Sequence, residues 1–278
     1  MRLNKFIASA TGKSRREADE LISGGRVKVN GKVAVLGTQI DDPSGANGSS
    51  PRVTLSNSKK GGKEIVLSLP TEPTLIMLHK PVGYLSSRRA QAKDSKTLYE
   101  LLPPELKKLK TVGRLDRDSS GLILLTDDGD FAFSMTHPKF KKTKIYEVRL
   151  DKPLKPLHQQ MINDFGIDLP DGKSRLILEK LTSGAAPTSR AGSALTSAAS
   201  TTETRDDGLE GVVRESSGAK ARDASVIWRI TMSEGRNRQI RRTFAALGYT
   251  VTKLHRTDFG NYHLGNLPVG KWIIVKKV

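Results

Sequence analysis

The 278-residue chain contains no cysteine. Disulfides, thiolate metal sites and a thiol nucleophile are thereby excluded. Its five histidines are scattered and share no metal-ligand spacing. No apolar run approaches the roughly 20 residues that span a bilayer. The opening Met1-Arg-Leu-Asn-Lys-Phe-Ile-Ala is too polar for a secretory leader. Aromatic residues make up only 5% of the chain, so a broad base-stacking platform is not expected, and backbone charge and shape must carry much of any nucleic-acid binding. Negative charge is also scarce: 29 Asp and Glu stand against 47 Lys and Arg, a net charge of +18. That excess implies a polyanionic partner, because every phosphate neutralised releases condensed counterions. An acidic membrane surface is the competing reading. The expectation is a soluble cytoplasmic RNA or DNA protein of one or two domains, large enough to bury a real core.

Residues 1–40 read as a compact helical-then-hairpin module. Leu3, Phe6 and Ile7 form a short apolar helical stripe. Ser14-Arg-Arg-Glu17 is a capping box, since the Ser14 hydroxyl can accept from the Glu17 amide while Glu17 reaches back. The helix it opens buries Ala18, Leu21 and Ile22 and stops at Gly24-Gly25. Val27-Lys-Val29 and Lys32-Val-Ala-Val35 flank Asn30-Gly31, a type I′ hairpin signal. Arg15, Arg16, Arg26, Lys28 and Lys32 fall on polar faces, which suits a solvated surface or a phosphate-gripping one. Residues 41–70, rich in Ser, Gly, Pro and Lys, look like a linker with one returning strand at Val53–Leu55 and an apolar alternation at Ile65–Leu69.

A larger unit follows. Strands are expected at Leu75–Leu78, Leu122–Leu125, Lys144–Leu150, Ile227–Met232, Val251–Leu254 and Trp272–Val275, with helices over Phe131–Met135 and Gln239–Leu247. Strands with few intervening helices argue for an α+β fold with a mixed or antiparallel sheet. From Ser183 to Asp223 the chain is Ser, Ala, Thr and Gly, with five basic and six acidic residues and no apolar periodicity. A disordered insertion is expected there.

The densest chemistry lies in Val112-Gly-Arg-Leu-Asp-Arg-Asp-Ser-Ser-Gly-Leu-Ile-Leu-Leu-Thr-Asp-Asp-Gly129. It sets Asp116 between Arg114 and Arg117, just before an apolar strand. A carboxylate beside guanidinium groups stays ionised and can act as nucleophile or base without a metal. By composition alone, a surface salt bridge is the commoner fate of such a residue. Three other segments stand in order around the run: Lys80-Pro-Val-Gly83, Lys144-Ile-Tyr146, and Ser233-Glu-Gly-Arg-Asn-Arg-Gln-Ile-Arg-Arg242, with Leu254-His-Arg256 beyond.

Together these segments resemble the RsuA/RluB family of ribosomal-RNA pseudouridine synthases, and residues 1–40 resemble the S4 RNA-binding domain. The resemblance spans everything but the linker and the insertion. It implies an S4-like domain with linker over 1–67 and a catalytic domain over 72–278, acting as a monomer on uridine in ribosomal RNA. The reaction breaks an N-glycosidic bond, turns the uracil and joins C5 to the sugar. Nothing is oxidised or imported, so no cofactor and no metal are expected. By resemblance Asp116 is the catalytic carboxylate, attacking sugar or uracil or removing a sugar proton. Tyr146 stacks on the uracil and takes part in removing the C5 proton, although a phenol that ionises near ~10 is a poor base. Arg241 is the basic partner that holds Asp116, and Ile240 packs on the base. Arg114, Arg236, Arg238, Arg15, Arg16, Arg26, Lys28 and Lys80 are candidate RNA contacts. The family usually has Thr where this chain has Ser119, and either hydroxyl can cap the turn. Glu234–Gln239 and Arg256–Gly260 favour large-subunit (23S) over small-subunit (16S) RNA. A non-catalytic ribosome-assembly factor is the alternative. A methyltransferase would want a Gly-rich cofactor loop and a nuclease clustered carboxylates, and neither is evident.

Overall fold

A computed structural model describes residues 1–41, 51–58, 62–69, 72–88, 94–181 and 227–278. The expected insertion at Ser183–Asp223 lies outside the described residues.

The N-terminal unit packs two helices, α1 (Leu3–Thr11) and α2 (Arg15–Ser23), on a small sheet. The capping box forms as its spacing predicts: Glu17 N donates to Ser14 Oγ at 3.1 Å, and Ser14 N to Glu17 Oε2 at 2.7 Å. Strands β1 (Val27–Val29) and β2 (Lys32–Val33) meet at Asn30-Gly31, both at positive φ (50° and 81°), the type I′ requirement. The stretch read as a linker supplies two further strands, β3 (Val53–Ser56) and β4 (Glu64–Leu67), giving the order β2-β1-β3-β4. Val53 and Leu55 close the core made by Leu3, Phe6, Ile7, Ala18, Ile22 and Val27. The returning strand expected at Val53–Leu55 is β3, and the apolar alternation at Ile65–Leu69 overlaps β4, so these residues belong to the N-terminal sheet rather than to a linker.

In the larger unit, β5 (Leu75–Lys80), β6 (Lys110–Val112), β7 (Ser120–Thr126), β8 (Lys144–Leu150), β11 (Ile177–Leu181), β12 (Ile227–Met232), β13 (Val251–Phe259), β14 (Tyr262–His263) and β15 (Trp272–Ile274) form one nine-stranded sheet, while β9 (Ile167–Leu169) and β10 (Gly172–Ser174) form a separate hairpin. The sheet path is β11-β12-β8-β13-β7-β5-β15, with β6 on β7 and β14 on β13. The pairing of β13 with β7 is parallel and the other described pairings are antiparallel, so the sheet is mixed, as expected of the α+β class.

Both faces of the central strands are covered, which is why Leu75–Leu78 and Leu122–Leu125 are unbroken apolar runs. Ile76, Leu78, Ile123 and Leu125 enter one core, and Leu75, Met77, Leu122 and Leu124 the other. In β8 only alternate residues, Tyr146, Val148 and Leu150, are buried. Helix α3 (Gly129–Thr136) is capped by Asp128, whose carboxylate accepts from the Asp130 and Phe131 amides, so Asp127-Asp128 is a turn. A helix α4 (Pro156–Gln160) runs into a π-turn over Met161–Phe165. Helix α5 (Gln239–Ala246) buries Ile240 and Phe244 against the larger core.

Candidate active site

The loop between β6 and β7 carries Asp116 and is clamped from beneath by the Lys80–Ser86 segment. Gly83, at φ 92°, donates its amide to Arg117 O at 2.7 Å. Ser86 Oγ donates to Leu115 O at 2.8 Å and accepts from Leu115 N at 3.2 Å. Lys80 is 0% exposed and gives its ammonium to three carbonyls: Ser119 O at 2.6 Å, Pro81 O at 3.0 Å and Asp116 O at 3.1 Å. Burial pulls Lys80 from its ordinary 10.5 down to about 8, against the opposing charges of Asp116 and Asp118. Lys80 is therefore no RNA contact. It is sealed from solvent and ties the loop to the sheet. The short Lys-Pro-Val-Gly motif and the long one are two halves of a single clamp.

Gly121 explains the glycine that ends the loop. Its φ is 110°, and a Cβ there would collide with the backbone carbonyl and amide of Arg256 on β13. Only a residue without a side chain lets β7 and β13 pair in parallel at this point (Arg256 with Gly121).

Beside the loop opens a cleft of about 310 Å³, whose walls include Asp116, Tyr146, Arg238, Ile240, Lys144 and Arg256. Asp116 is half-buried, while Tyr146 and Ile240 are buried. The expected carboxylate, phenol and aliphatic contact thus converge on one cavity. Arg114 also lines it and is exposed, consistent with an RNA contact.

The cations are partnered differently from the sequence reading. The guanidinium nearest Asp116 is Arg238, with Nη1 3.8 Å from Oδ2; no ion pair joins Asp116 to Arg114 or Arg117 among the described residues. Arg238 occupies the N-cap position of α5 in the left-handed region (φ 45°), a strained conformation for a non-glycine residue. It also pairs with Asp118 at 3.1 Å. Arg241, expected to hold Asp116, instead holds Asp118. Its Nε lies 3.2 Å from Asp118 Oδ2, and it donates to Asp118 O at 2.9 Å and Val251 O at 2.7 Å. Its charge reaches Asp116 only through space. Partial burial pushes Asp118 up, but the hydrogen bond from Arg238 and the charges of Arg241 and Arg238 outweigh it and hold the carboxyl below the usual range. Asp118, two residues along the same run, was not assigned from sequence. Spacing within a loop does not reveal which of two neighbouring carboxylates a cation will choose.

Arg236 is also not free for RNA. It donates to Asp171 O, Gly172 O and Lys173 O at 2.9, 2.7 and 2.9 Å, and pairs with Glu234 at 3.2 Å. Together with Arg242, bound to Asp171 at 2.7 Å, it fastens the β9–β10 hairpin to α5. In the N-terminal unit Arg15 and Arg16 are exposed. Lys28 pairs with Glu64 at 2.7 Å, and Arg26 Nε donates to Ser56 O at 3.0 Å. The open basic face is the start of α2, while Arg26 and Lys28 join strands.

A family model described as RNA pseudouridylate synthase matches residues 74–246, and one described as S4 domain matches residues 1–42. Ribosomal large subunit pseudouridine synthase B of Bacillus subtilis (strain 168) is 33% identical over 270 residues, covering 97% of this chain and 89% of the relative. Dual-specificity RNA pseudouridine synthase RluF of Salmonella typhi is 31% identical, covering 98% of this chain and 74% of the relative. A solved structure described as a pseudouridylate synthase aligns with a TM-score of 0.57 at 27% identity, over 99% of this chain and 96% of that one.

Proposed function

The chain belongs to the RNA pseudouridylate synthase family, and on that footing we propose that it isomerises uridine in ribosomal RNA, large-subunit RNA foremost, with Asp116 as the reacting carboxylate. The name of the similar Bacillus relative, a ribosomal large subunit pseudouridine synthase, supports that substrate class, and the name of the RluF relative supports the reaction on RNA. The carrying observation is a difference between two acids. Among the described residues, two carboxylates line the cleft, Asp116 and Glu234. Glu234 is committed to Arg236 and Gln239. Asp116 has only the 3.8 Å approach of Arg238, so its oxygens are available to a sugar.

The target uridine leaves its stack and enters the cleft, at a cost of a few kcal/mol that is least in loops. Tyr146 stacks on the base and Ile240 packs against it. Asp116 bonds to the sugar, adds to the uracil or removes a sugar proton as the C1′–N1 bond breaks. The uracil turns, and C5 bonds to C1′ as Asp116 gives up its bond or returns the sugar proton; C5 then loses its proton and N1 gains one. Arg238 orients Asp116, and Arg241 holds the loop through Asp118. Arg114 at the mouth, with Arg15 and Arg16 on α2, grips phosphates and sets register.

The test is tritium release from ribosomal RNA labelled at uridine C5. Wild-type protein should release tritium from large-subunit RNA, and Asp116→Asn should not. Absence of release from both ribosomal RNAs, free or in subunits, would return the protein to the class of binding factors.

A further inference from the structure

The floor of the cleft holds a buried cation with no counter-ion. Arg256 is 2% exposed. Its Nε donates to Leu122 O at 2.8 Å, and its guanidinium carbon lies 4.8 Å from the centroid of the Phe259 ring. Its Nη2 is buried and has no hydrogen-bond partner. The second cation beside it is Lys144, whose Nζ lies 5.4 Å from the same ring and has only two distant carbonyls, Lys142 O and Glu234 O, each at 3.4 Å. Among the described residues neither cation forms an ion pair with a carboxylate. An unpaired buried guanidinium beside a second positive group is costly. Such an arrangement attracts negative charge into the space it faces.

Position identifies that charge. Arg256 is the register partner of Tyr146 across β13 and β8, so the two side chains share a face of the sheet, and Lys144, two residues from Tyr146, shares it as well. All three line the cleft. A phosphate of the RNA backbone would stay at the mouth, by Arg114 and Arg238. The buried part of the lining, with Tyr146 and Ile240 beside Arg256, suits the base.

We propose that Arg256, assisted by Lys144, is a further catalytic residue that hydrogen-bonds the uracil carbonyl oxygens and stabilises the anion formed when the C1′–N1 bond breaks. This rests on the reading of the cleft as a uridine site. The electron pair of the broken bond passes to N1 and delocalises onto O2 and O4. Whether Asp116 bonds to C1′ or takes the 2′ proton, uracil leaves with the same charge, and addition of Asp116 to the uracil ring likewise places negative charge on a ring carbonyl oxygen, so the role does not depend on the route. When C5 joins C1′, C5 loses its proton, N1 gains one and the charge is discharged. A preorganised donor aimed at developing charge in a dry site is worth far more than the same donor in water.

The experiment compares single-turnover rates on large-subunit RNA transcripts made with uridine or with 5-fluorouridine, whose base is the better leaving group. Product is read after digestion as pseudouridine from the uridine transcript and, from the fluorinated one, as the C-linked 5-fluoro hydrate, since that C5 has no proton to lose and the ring takes up water at C6 instead. Arg256→Lys and Arg256→Gln should slow the uridine reaction by about 10²–10³-fold, the usual effect of removing one such donor, with RNA affinity unchanged. The loss should shrink on 5-fluorouridine, which needs less help to depart. An equal loss on both substrates overturns the proposal. So does a weaker affinity whose salt slope falls by about one charge at unchanged rate, which would mark a phosphate contact. If the Arg256 variants fail to fold, Lys144→Met carries the same comparison, because its contacts are long and it is half-buried. Wild-type protein that makes no pseudouridine on the uridine transcript and no C-linked product on the fluorinated one would instead sink the underlying reading.

Discussion

Lys80→Met separates two explanations of a lysine at the active-site loop. If Lys80 held a phosphate, its loss would weaken RNA binding and lower the salt slope by about 0.7–0.9, with the rate on bound RNA intact. The structure predicts the reverse, because the ammonium is wholly buried and spent on three carbonyls. Two of these bonds, to Pro81 O and Asp116 O, are partly buried, and water can replace the lost donor. Ser119 O is in a buried contact and would be orphaned, at about 1–3 kcal/mol. Relief of the buried charge offsets part of that. A net loss of about 1–2 kcal/mol is expected, a fall of roughly 2–8 °C in melting temperature for a protein of this size. Activity should suffer more. Freed from Lys80, the turn from Asp116 to Ser119 can drift, and displacement of a reacting group by about 1 Å can cost ~10²-fold. The assay pairs single-turnover isomerisation with filter binding across a salt series. An unchanged rate on bound RNA with a reduced salt slope would refute the clamp.

The same residue predicts a pH dependence. Below about pH 8 both folded and unfolded chains carry the Lys80 proton, and between about 8 and 10.5 only the unfolded chain does. Stability therefore rises with pH across that window, and Lys80→Met should flatten the rise in melting temperature, though Lys110 and Lys144, lowered mainly by burial, leave part of it. Asp116→Asn should cut isomerisation by about 10²–10⁴-fold or more while RNA affinity stays within about twofold, since Asp116 has only the long approach of Arg238; a matching loss of affinity would point to a structural carboxylate. Gly121→Ala should cost at least about 3 kcal/mol, from positive φ and from the collision with Arg256, and a urea midpoint equal to wild type would show that β7 and β13 separate easily. Arg15→Gln with Arg16→Gln should lower the RNA salt slope by about 1.5 and leave the rate on bound RNA unchanged; an unaltered slope would remove α2 from the interface.

The N-terminal helices, the hairpin and the central strands were legible because their signals are local. A capping box, an Asn-Gly turn and an unbroken apolar run each state a backbone geometry within a few residues. Strands β3 and β4 were harder, since four-residue strands among serines and lysines carry little periodicity, and β3 gains its burial beside β1, whose nearest paired residue, Val29 opposite Val53, is 24 residues away. The motifs likewise named Asp116, Tyr146, Ile240 and Arg114, and all four line one cleft.

Motif spacing could not apportion the charges. Arg236, Arg238, Arg241 and Arg242 are nearly equivalent as text, yet one faces Asp116, one holds Asp118 and two fasten a hairpin. A guanidinium on a long side chain can reach several carboxylates, and the partner it takes depends on helix phase and on loops that only the fold brings near. Burial is equally non-local: Lys80 and Arg256 read as ordinary surface cations until two strands close over them. The order of residues thus determined which groups the cleft would contain. The tertiary structure decided which of them are spent on holding the protein together and which remain free for the RNA.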